Sequence, residues 1–214
     1  ETREQVLSTA DAIARLLPQH DIAPSDFIFR AGLWKPRTNP DSFEGIGSEG
    51  LPWLSEVRKR YGMRVATEVA MKEHLSDCME YDIDAVWIGA RTTTNPFMVE
   101  QLAEELQRLR EISGWQPIVM VKNPVSADLQ LWQGAVERLL KHGVSDLMLI
   151  HRGFTPSEQV TLRNQPLWSK VIEMRRRMPQ LRMICDVSHI AGQRELIADI
   201  ATQAMQLSLD GLMI

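Results

Sequence analysis

Short apolar runs typical of β-strands alternate with helical patterns along the chain, and this alternation constrains the fold more than any other feature. The strand-like runs lie at residues 27–31, 64–69, 84–90, 117–121, 145–150, 181–187 and 210–214. The helical patterns lie between Leu7 and Leu17 and near residues 49–61, 72–81, 96–112, 127–142, 166–178 and 193–207. Strands that are apolar throughout need cover on both faces, so this order predicts an α/β protein with a parallel sheet.

Residues at the ends of the helical patterns support these assignments. Thr2 and Gln5 occupy the positions of a capping box at the start of the first helix. Asn95 and Ser126 are expected to cap two later helices. Glycines follow three of the helical patterns, at Gly62, Gly114 and Gly143. Glycine is the residue that most often ends a helix.

Two parallel architectures accommodate this count of elements. Seven helical patterns alternate with seven strands, and the chain starts on a helix and stops on a strand. One more strand before Glu1 and one more helix after Ile214 would complete a (β/α)8 TIM barrel, which is the fold predicted here. A doubly wound sheet of seven strands is the rival. No linker interrupts the chain, so residues 1–214 are predicted to form one barrel domain, incomplete at both ends, with any further domain lying beyond residue 214.

Composition excludes several classes of function. The 214 residues carry a formal net charge of -4 and a pI near 5.8, which argues against a broad basic face for nucleic acid or anionic membrane. No apolar run approaches the roughly 18 residues of a membrane span. Cys78 and Cys185 form no CxxC pattern, so no disulfide framework is expected and both are predicted to lie in the core. We therefore expect a cytoplasmic protein.

Cations follow four of the predicted strands, although the chain as a whole is acidic. They are Arg30 with Lys35 and Arg37, then Arg91, Lys122 and Arg152. The carboxyl ends of barrel strands meet at one face, so these side chains are expected to share a pocket. Repulsion among them would be offset by an anionic ligand that carries phosphate or carboxylate groups. Taken singly, each of them could equally be a solvated surface residue.

An acid and a histidine also lie at strand ends. Glu68 ends the second strand and could orient water or a lysine among the cations. His189 follows Asp186 just beyond the sixth strand, where it could ligate a metal or carry a proton. A solvated role remains open for both. Trp87, Trp115 and Trp132 are predicted to be packing residues.

The segments at these strand ends resemble a known enzyme family. KPRTNPDSFEGIGSEGL, ATEV, VWIGART, MVKNP, LIHRG, CDVSHIAGQRELI and DGLMI follow one another in order. They are similar to the motifs of the type I 3-deoxy-D-arabino-heptulosonate 7-phosphate (DAHP) synthases, and most of all to the branch sometimes fused to chorismate mutase. The resemblance covers nearly the whole chain. It implies a (β/α)8 barrel that condenses phosphoenolpyruvate with erythrose 4-phosphate in the first step of the shikimate pathway.

The resemblance also implies roles for individual residues. Arg91, Lys122 and Arg152 would hold the phosphate and carboxylate of phosphoenolpyruvate, with Arg30 and Lys35 lining the same region. The erythrose 4-phosphate loop would comprise Lys35, Pro36, Arg37 and Thr38. Glu68 would help to position the attacking water, and Lys35 would protonate the developing alkoxide. The catalytic set predicted in this way is Lys35, Lys122 and Glu68.

A divalent metal ion, Mn²⁺ or similar, is implied as the cofactor, with His189 as one ligand. The family's cysteine ligand would precede Glu1, and its glutamate and aspartate ligands would follow Ile214, so the resemblance favours a fragment of a longer protein over a remnant without a metal site. It also implies small phosphorylated substrates, a homo-oligomer, and a fused or associated chorismate mutase. No nucleic-acid or membrane partner is expected.

Three other functions remain open at this point. The sibling 3-deoxy-octulosonate 8-phosphate synthases share the barrel, but their aldehyde loop has an Asn-Arg pair where this chain has Pro36 and Arg37. A regulatory barrel that binds phosphate ligands without catalysis would use the same cations. A Schiff-base aldolase would use Lys122 as its nucleophile.

Overall fold

A computed structural model describes residues 2–37, 39, 41–156 and 161–214 of the chain. The strands are β1 (Ile28–Arg30), β2 (Arg64–Val69), β3 (Ala85–Ile88), β4 (Ile118–Lys122), β5 (Leu147–His151), β6 (Arg182–Asp186) and β7 (Gly211–Met213). The α-helices are α1 (Arg3–Leu16), α2 (Leu51–Tyr61), α3 (Lys72–Glu80), α4 (Ala90–Thr93), α5 (Pro96–Ser113), α6 (Leu129–Lys141), α7 (Trp168–Arg177), α8 (Val187–Ala191) and α9 (Ile197–Gln206).

The strands pair in the order of the sequence, from β1 to β7, in one seven-stranded sheet. The β1/β2, β5/β6 and β6/β7 pairs are parallel, and His151 lies opposite Cys185 in the β5/β6 pair. A doubly wound sheet reverses its strand order at a switch point. A sequential order without reversal is the order of a barrel, so the doubly wound alternative is wrong.

Burial explains why the middle strands are apolar throughout. Every residue of β3, β4 and β5 is buried, including the polar residues that end β4 and β5. A strand buried on both faces gains from apolar side chains at every position, which accounts for the continuous runs in the sequence. Lys122 and His151 are therefore exceptions that need partners or a function.

The predicted helix starts are partly confirmed. The Thr2 side chain accepts from the Gln5 amide and the Gln5 side chain accepts from the Thr2 amide, so the capping box is present. Asn95 Oδ1 accepts from the amides of Phe97 and Met98 at the start of α5. The prediction for Ser126 is wrong, because α6 begins two residues later than expected and Asp128 caps it. A carboxylate competes well for this position.

Two short helices were not predicted. Helix α4 begins two residues after β3, and α8 begins directly after β6. Each has five residues or fewer, so neither has room for a repeating apolar pattern. Both lie at strand ends, the position predicted for functional residues, and they carry Arg91 and His189.

The chain divides into two compact units, Glu1–Trp87 with Gln101–Val119, and Ile88–Glu100 with Met120–Ile214. The core of the first includes Leu33, Leu51, Leu54 and Leu75, and the core of the second includes Trp132, Phe154 and Met183. Cys78 and Cys185 are free thiols buried in the first and second unit respectively, as predicted.

None of the helices in the described part of the chain combines the length and apolar composition needed to cross a bilayer.

Candidate active site

In the second unit, a buried ion pair joins the ends of β4 and β6. Lys122 Nζ donates to Asp186 Oδ2 at 2.7 Å, and both side chains are almost fully buried. The other carboxylate oxygen of Asp186 accepts from the amide of His189 and the hydroxyl of Ser188. Asp186 thereby caps the start of α8. The lysine ammonium and the start of α8 are therefore fixed by a single carboxylate.

His189 completes this group. Its Nδ1 lies 2.9 Å from Asp186 Oδ2. Burial by itself would raise the pKa of Asp186, but the hydrogen bond from His189 and the charge of Lys122 outweigh it and hold that pKa well below its usual range. The bond to Asp186 raises the pKa of His189, yet burial with Lys122 and Arg152 nearby leaves it below the ordinary value. At neutral pH the carboxylate is charged, and the imidazole is mostly neutral with its Nδ1–H toward Asp186.

Arg152, directly after β5, is buried and held through its backbone. Its amide donates to Asn123 Oδ1 at 2.7 Å, while Asn123 Nδ2 donates to the carbonyls of Pro124 and Gly153 at 2.7 and 2.8 Å. Burial lowers the pKa of Arg152 to about 10; Arg163 and Arg91 act in the same direction and Asp186 opposes them. The guanidinium remains charged at neutral pH in a partly desolvated position, which strengthens its attraction for an anion.

Arg163 is a further cation of this cluster, and it was not predicted from the sequence. It lies in the long connection between β5 and α7, away from the strand ends at which the sequence pattern predicts functional cations. The backbone positions it, because its amide donates to Ala191 O and the next amide, of Asn164, donates to Ile190 O. Four cations, Arg91, Lys122, Arg152 and Arg163, thus belong to one electrostatic cluster together with the Asp186 carboxylate.

The imidazole of His151 is buried beside this cluster among aromatic rings. It lies 5.7 Å from the Phe154 ring and 5.3 Å from the Trp168 ring, measured between centroids. Neither ring nitrogen has a hydrogen-bond partner within the described ranges. Burial lowers the pKa of His151 to about 3. The Pro166 carbonyl opposes this change, although it is not placed to form a hydrogen bond with the ring. The ring is therefore neutral at pH 7.

In the first unit, the predicted residues Arg30 and Glu68 both contact Trp87. The Arg30 guanidinium carbon lies 5.8 Å from the Trp87 ring centroid, within range of a cation–π interaction. Trp87 Nε1 donates to Glu68 Oε2 at 3.2 Å. Trp87 is buried, as predicted, but it also holds two candidate site residues.

The segment from Leu33 to Gly47, named here the Lys35 loop, is closed by backbone hydrogen bonds. The Lys35 amide donates to Glu44 O at 2.7 Å, and the Gly47 amide donates to Leu33 O at 2.9 Å. The exposed Arg37 donates through Nε to Phe43 O, and Lys35 Nζ lies 5.3 Å from the Phe43 ring centroid. Pro36 is half-buried between these cations, whereas Thr38 lies outside the described residues.

The site residues predicted from sequence therefore fall into two groups, each described within its own unit. The first unit brings together Arg30 and Glu68 on Trp87 and carries the Lys35 loop. The second unit brings together Arg91, Lys122, Arg152 and His189. Lys122 was predicted as an anion contact, and its pairing with Asp186 was not foreseen.

Comparison with known families identifies the chain. A family model described as the DAHP synthetase I family matches residues 1–214. The chain belongs to the DAHP synthetase I family.

A curated member of this family is similar over the full length of the chain. It is the phospho-2-dehydro-3-deoxyheptonate aldolase of Thermotoga maritima, 27% identical over 214 residues, which are 100% of this chain and 57% of the relative. The chain thus spans little more than half the length of that relative.

Solved structures of DAHP synthases confirm the fold class. A crystal structure of the Thermotoga maritima DAHP synthase matches with a TM-score of 0.79 and 26% identity, covering 100% of this chain and 56% of that one. A truncated form of the Thermotoga maritima enzyme matches with a TM-score of 0.76 and 25% identity, covering 100% and 70%. These likenesses confirm the α/β, (β/α)8-barrel class predicted from sequence.

The orientation of the His189 imidazole is the one feature of the described residues that suits a metal ligand. Its Nδ1 faces a carboxylate, which leaves Nε2 for an ion and matches the way in which metal-binding histidines are oriented. Within residues 2–37, 39, 41–156 and 161–214, no three or more His, Cys, Asp and Glu side chains gather closely enough to hold a metal.

Proposed function

We propose that the protein containing these residues condenses phosphoenolpyruvate with erythrose 4-phosphate and water to give DAHP and inorganic phosphate, the first step of the shikimate pathway. Membership of the DAHP synthetase I family supports this proposal. The single structural observation that carries it is the cationic cluster in which Lys122 pairs with Asp186 and the charges of Arg91 and Arg163 act on the buried Arg152. Both substrates of the reaction are phosphorylated, and a cluster of this kind suits the trianionic phosphoenolpyruvate.

The second unit is proposed to bind phosphoenolpyruvate. Arg91, Lys122 and Arg152 hold its phosphate and carboxylate groups, the arginines through planar forks and the lysine as a point charge. The ion pair with Asp186 keeps Lys122 in one position before the ligand arrives. An ammonium that donates to a carboxylate at 2.7 Å is poorly suited to act as a free amine nucleophile, which disfavours the Schiff-base alternative.

The first unit is proposed to bind the aldehyde. Lys35, Pro36, Arg37 and Thr38 form the proposed erythrose 4-phosphate loop, with Arg37 and Thr38 as the contacts to its sugar oxygens or phosphate. When the enol carbon attacks the aldehyde carbon, Lys35 donates a proton to the developing alkoxide. Glu68, oriented by the indole N–H of Trp87, positions the water that adds to the cationic carbon, after which phosphate leaves.

The enzyme is proposed to depend on a divalent metal ion such as Mn²⁺, with His189 as one ligand through Nε2 and the others outside this chain. When bound, the ion supplies Lewis acidity to the aldehyde. Chelation with EDTA is expected to abolish phosphate release by the full-length protein, and Mn²⁺ is expected to restore it. His189→Gln should lower the affinity for Mn²⁺ at equilibrium.

The proposed function is tested by phosphate release from the full-length protein supplied with both substrates and Mn²⁺. Release with erythrose 4-phosphate, and much weaker release with arabinose 5-phosphate, is expected. The reverse preference would favour the octulosonate sibling, and tight phosphoenolpyruvate binding without turnover would favour a non-catalytic barrel.

Lys35→Met tests the proton-donor role. General acid catalysis contributes roughly 10²–10⁴-fold to rate, so turnover at saturating substrates is expected to fall by at least about 100-fold. Lys59→Met, at an exposed position of α2, is the matched control and should leave turnover unchanged. Turnover within a few-fold of wild type in Lys35→Met would end the assignment.

The wider context of the enzyme is also a proposal. We propose a cytoplasmic homo-oligomer in which residues 1–214 belong to a single barrel domain, with a fused or associated chorismate mutase. Light scattering of the full-length protein and an assay of chorismate conversion would test these assignments.

A further inference from the structure

Trp34, the residue directly before Lys35, is stacked on a histidine of another element. The rings of Trp34 and His74 are 4.1 Å apart between centroids and inclined by 7°. His74 is the third residue of α3 and is 7% exposed. Neither residue stands out in the sequence, and His74 has no place in the proposed chemistry.

The His74 ring is itself held in place. Its Nδ1 accepts from the amide of Ala70 at 3.2 Å, directly after β2. Burial lowers the pKa of His74, against the opposing charges of Asp77 and Glu73, so the ring is mostly neutral at pH 7 and Nδ1 can serve as an acceptor. The backbone at the end of β2 thus fixes the orientation of the His74 ring on which Trp34 stacks.

A second contact joins α3 to the residue that follows the Lys35 loop. The Ser48 hydroxyl donates to Asp77, one turn along α3 from His74. The start of the loop is also tied to β2, because the Leu33 amide donates to the buried Thr67 hydroxyl at 3.2 Å. Helix α3 and strand β2 therefore hold the loop at both ends.

The two arms of the Lys35 loop lie close together where the loop begins and ends. A displacement of Trp34 would therefore also move the residues that follow it in the loop. Gly45 has a φ of 102°, and a Cβ there would lie 1.9 Å from Leu33 O. A Cβ at Gly47 would lie 3.5 Å from Trp34 Nε1. The two arms of the loop are in direct contact at Leu33 and Trp34.

We propose that Trp34 and His74 are positioning residues: their stack holds the Lys35 loop against α3 and so sets the affinity for the aldehyde substrate. The inference rests on the proposed function, because that function is what assigns Lys35 and Arg37 to the aldehyde. Neither ring is assigned a contact with substrate. The stack acts through the main chain that joins Trp34 to Lys35.

Steady-state kinetics of the full-length enzyme test this proposal. Trp34→Ala and His74→Ala are each expected to raise KM for erythrose 4-phosphate about tenfold and to leave KM for phosphoenolpyruvate within twofold. His74→Phe and Trp34→Tyr keep a stacked ring and should recover most of the loss. The double alanine variant should be no worse than the poorer single variant, because each change removes the same stack.

Leu75→Ala is the matched control for loss of α3 stability, because Leu75 is fully buried on the same helix. It should lower the melting temperature without changing the ratio of the two KM values. Equal changes in both KM values, multiplicative effects of the two alanine substitutions, or a Leu75→Ala variant with the same KM split would each overturn the proposal.

Amide hydrogen exchange separates this inference from the proposed function. If the wild-type protein releases no phosphate, the proposed function fails, but the stack can still be judged from the Leu33, Lys35 and Gly47 amides, which donate within the structure. These amides should exchange at least tenfold faster in His74→Ala than in wild type. Unchanged exchange would show that the stack does not hold the loop.

Discussion

The imidazole of His151 illustrates how a single buried group couples stability to pH. Its folded pKa of about 3 lies below the ordinary value of 6.5, so the unfolded chain binds more protons between these two values. Protonation of His151 therefore does not affect the free energy of unfolding above about pH 6.5. As the pH falls from 6.5 toward 3, the free energy of unfolding drops by about 1.4 kcal/mol per pH unit.

Replacing His151 by phenylalanine is expected to reduce this acid sensitivity. His151→Phe should also stabilise the protein at pH 7.5 by about 1 kcal/mol, because it removes two buried nitrogens that have no partner among the described residues. Urea denaturation of the full-length protein at pH 7.5 and pH 5.5 measures both effects. The exposed His20→Gln serves as the control. A His151→Phe variant that loses as much stability between the two pH values as wild type would contradict the prediction.

The Lys122–Asp186 pair predicts strong coupling between two substitutions. Removing one partner of a buried ion pair leaves the other charge uncompensated and costs about 3–5 kcal/mol. Asp186→Asn and Lys122→Met should each lower the free energy of unfolding by an amount of this order. The double variant should lose less than the sum, by at least about 1 kcal/mol, in a double-mutant cycle of denaturant unfolding. Additive losses would mean that the pair is not formed.

Among the secondary-structure elements, the ends of β4 and β5 depend on Asn123. Its side chain makes three hydrogen bonds, to the Arg152 amide and to the Pro124 and Gly153 carbonyls. Asn123→Ala leaves the Arg152 amide without its acceptor, and each buried unsatisfied group costs about 1–3 kcal/mol. We expect reduced stability together with weaker phosphoenolpyruvate binding, because the backbone of Arg152 is released.

Asn95→Ala is the control for this prediction. Asn95 caps α5 from an exposed position, and losing such a cap costs about 1 kcal/mol. Calorimetric titration should show unchanged phosphoenolpyruvate affinity in Asn95→Ala and at least a fivefold loss in Asn123→Ala. Equal phosphoenolpyruvate affinities in the two variants would show that Asn123 does not position Arg152 for binding.

At the level of the full-length protein, ligand binding should be visible as stabilisation. A ligand at 100 times its Kd raises the free energy of unfolding by about 2.7 kcal/mol. Phosphoenolpyruvate is therefore expected to raise the melting temperature by several degrees, and Arg152→Ala should remove most of this shift. Arg110→Ala, in the last turn of α5, should retain it. A shift that survives Arg152→Ala would place the ligand elsewhere.

How far the sequence could predict the structure depends on the range of the interactions. The capping box at Thr2 and the cap at Asn95 were predictable because they join residues two or three apart. The shift of the α6 cap from Ser126 to Asp128 was not, since both are acceptable caps and helix propensity does not separate them. Helices α4 and α8 were not predicted because four or five residues are too few to show a repeating apolar pattern.

The candidate site follows the same division. Arg30, Lys122 and Arg152 could be found at strand ends because parallel strands direct their carboxyl ends to one edge. The Lys122–Asp186 pair, 64 residues apart, and the Trp34–His74 stack could not be found. Their formation depends on which way side chains point, and that is decided by packing.

The sequence by itself determined the alternation of strand and helix, the apolar character of the buried strands and the cations that follow them, because each of these depends on neighbouring residues along the chain. Only the tertiary structure decided the sequential strand order, the partner of Lys122, the burial of the His151 ring and the support of the Lys35 loop by α3. Contacts of this kind join distant residues, and they form only when burial selects one arrangement of side chains among many that local pattern allows.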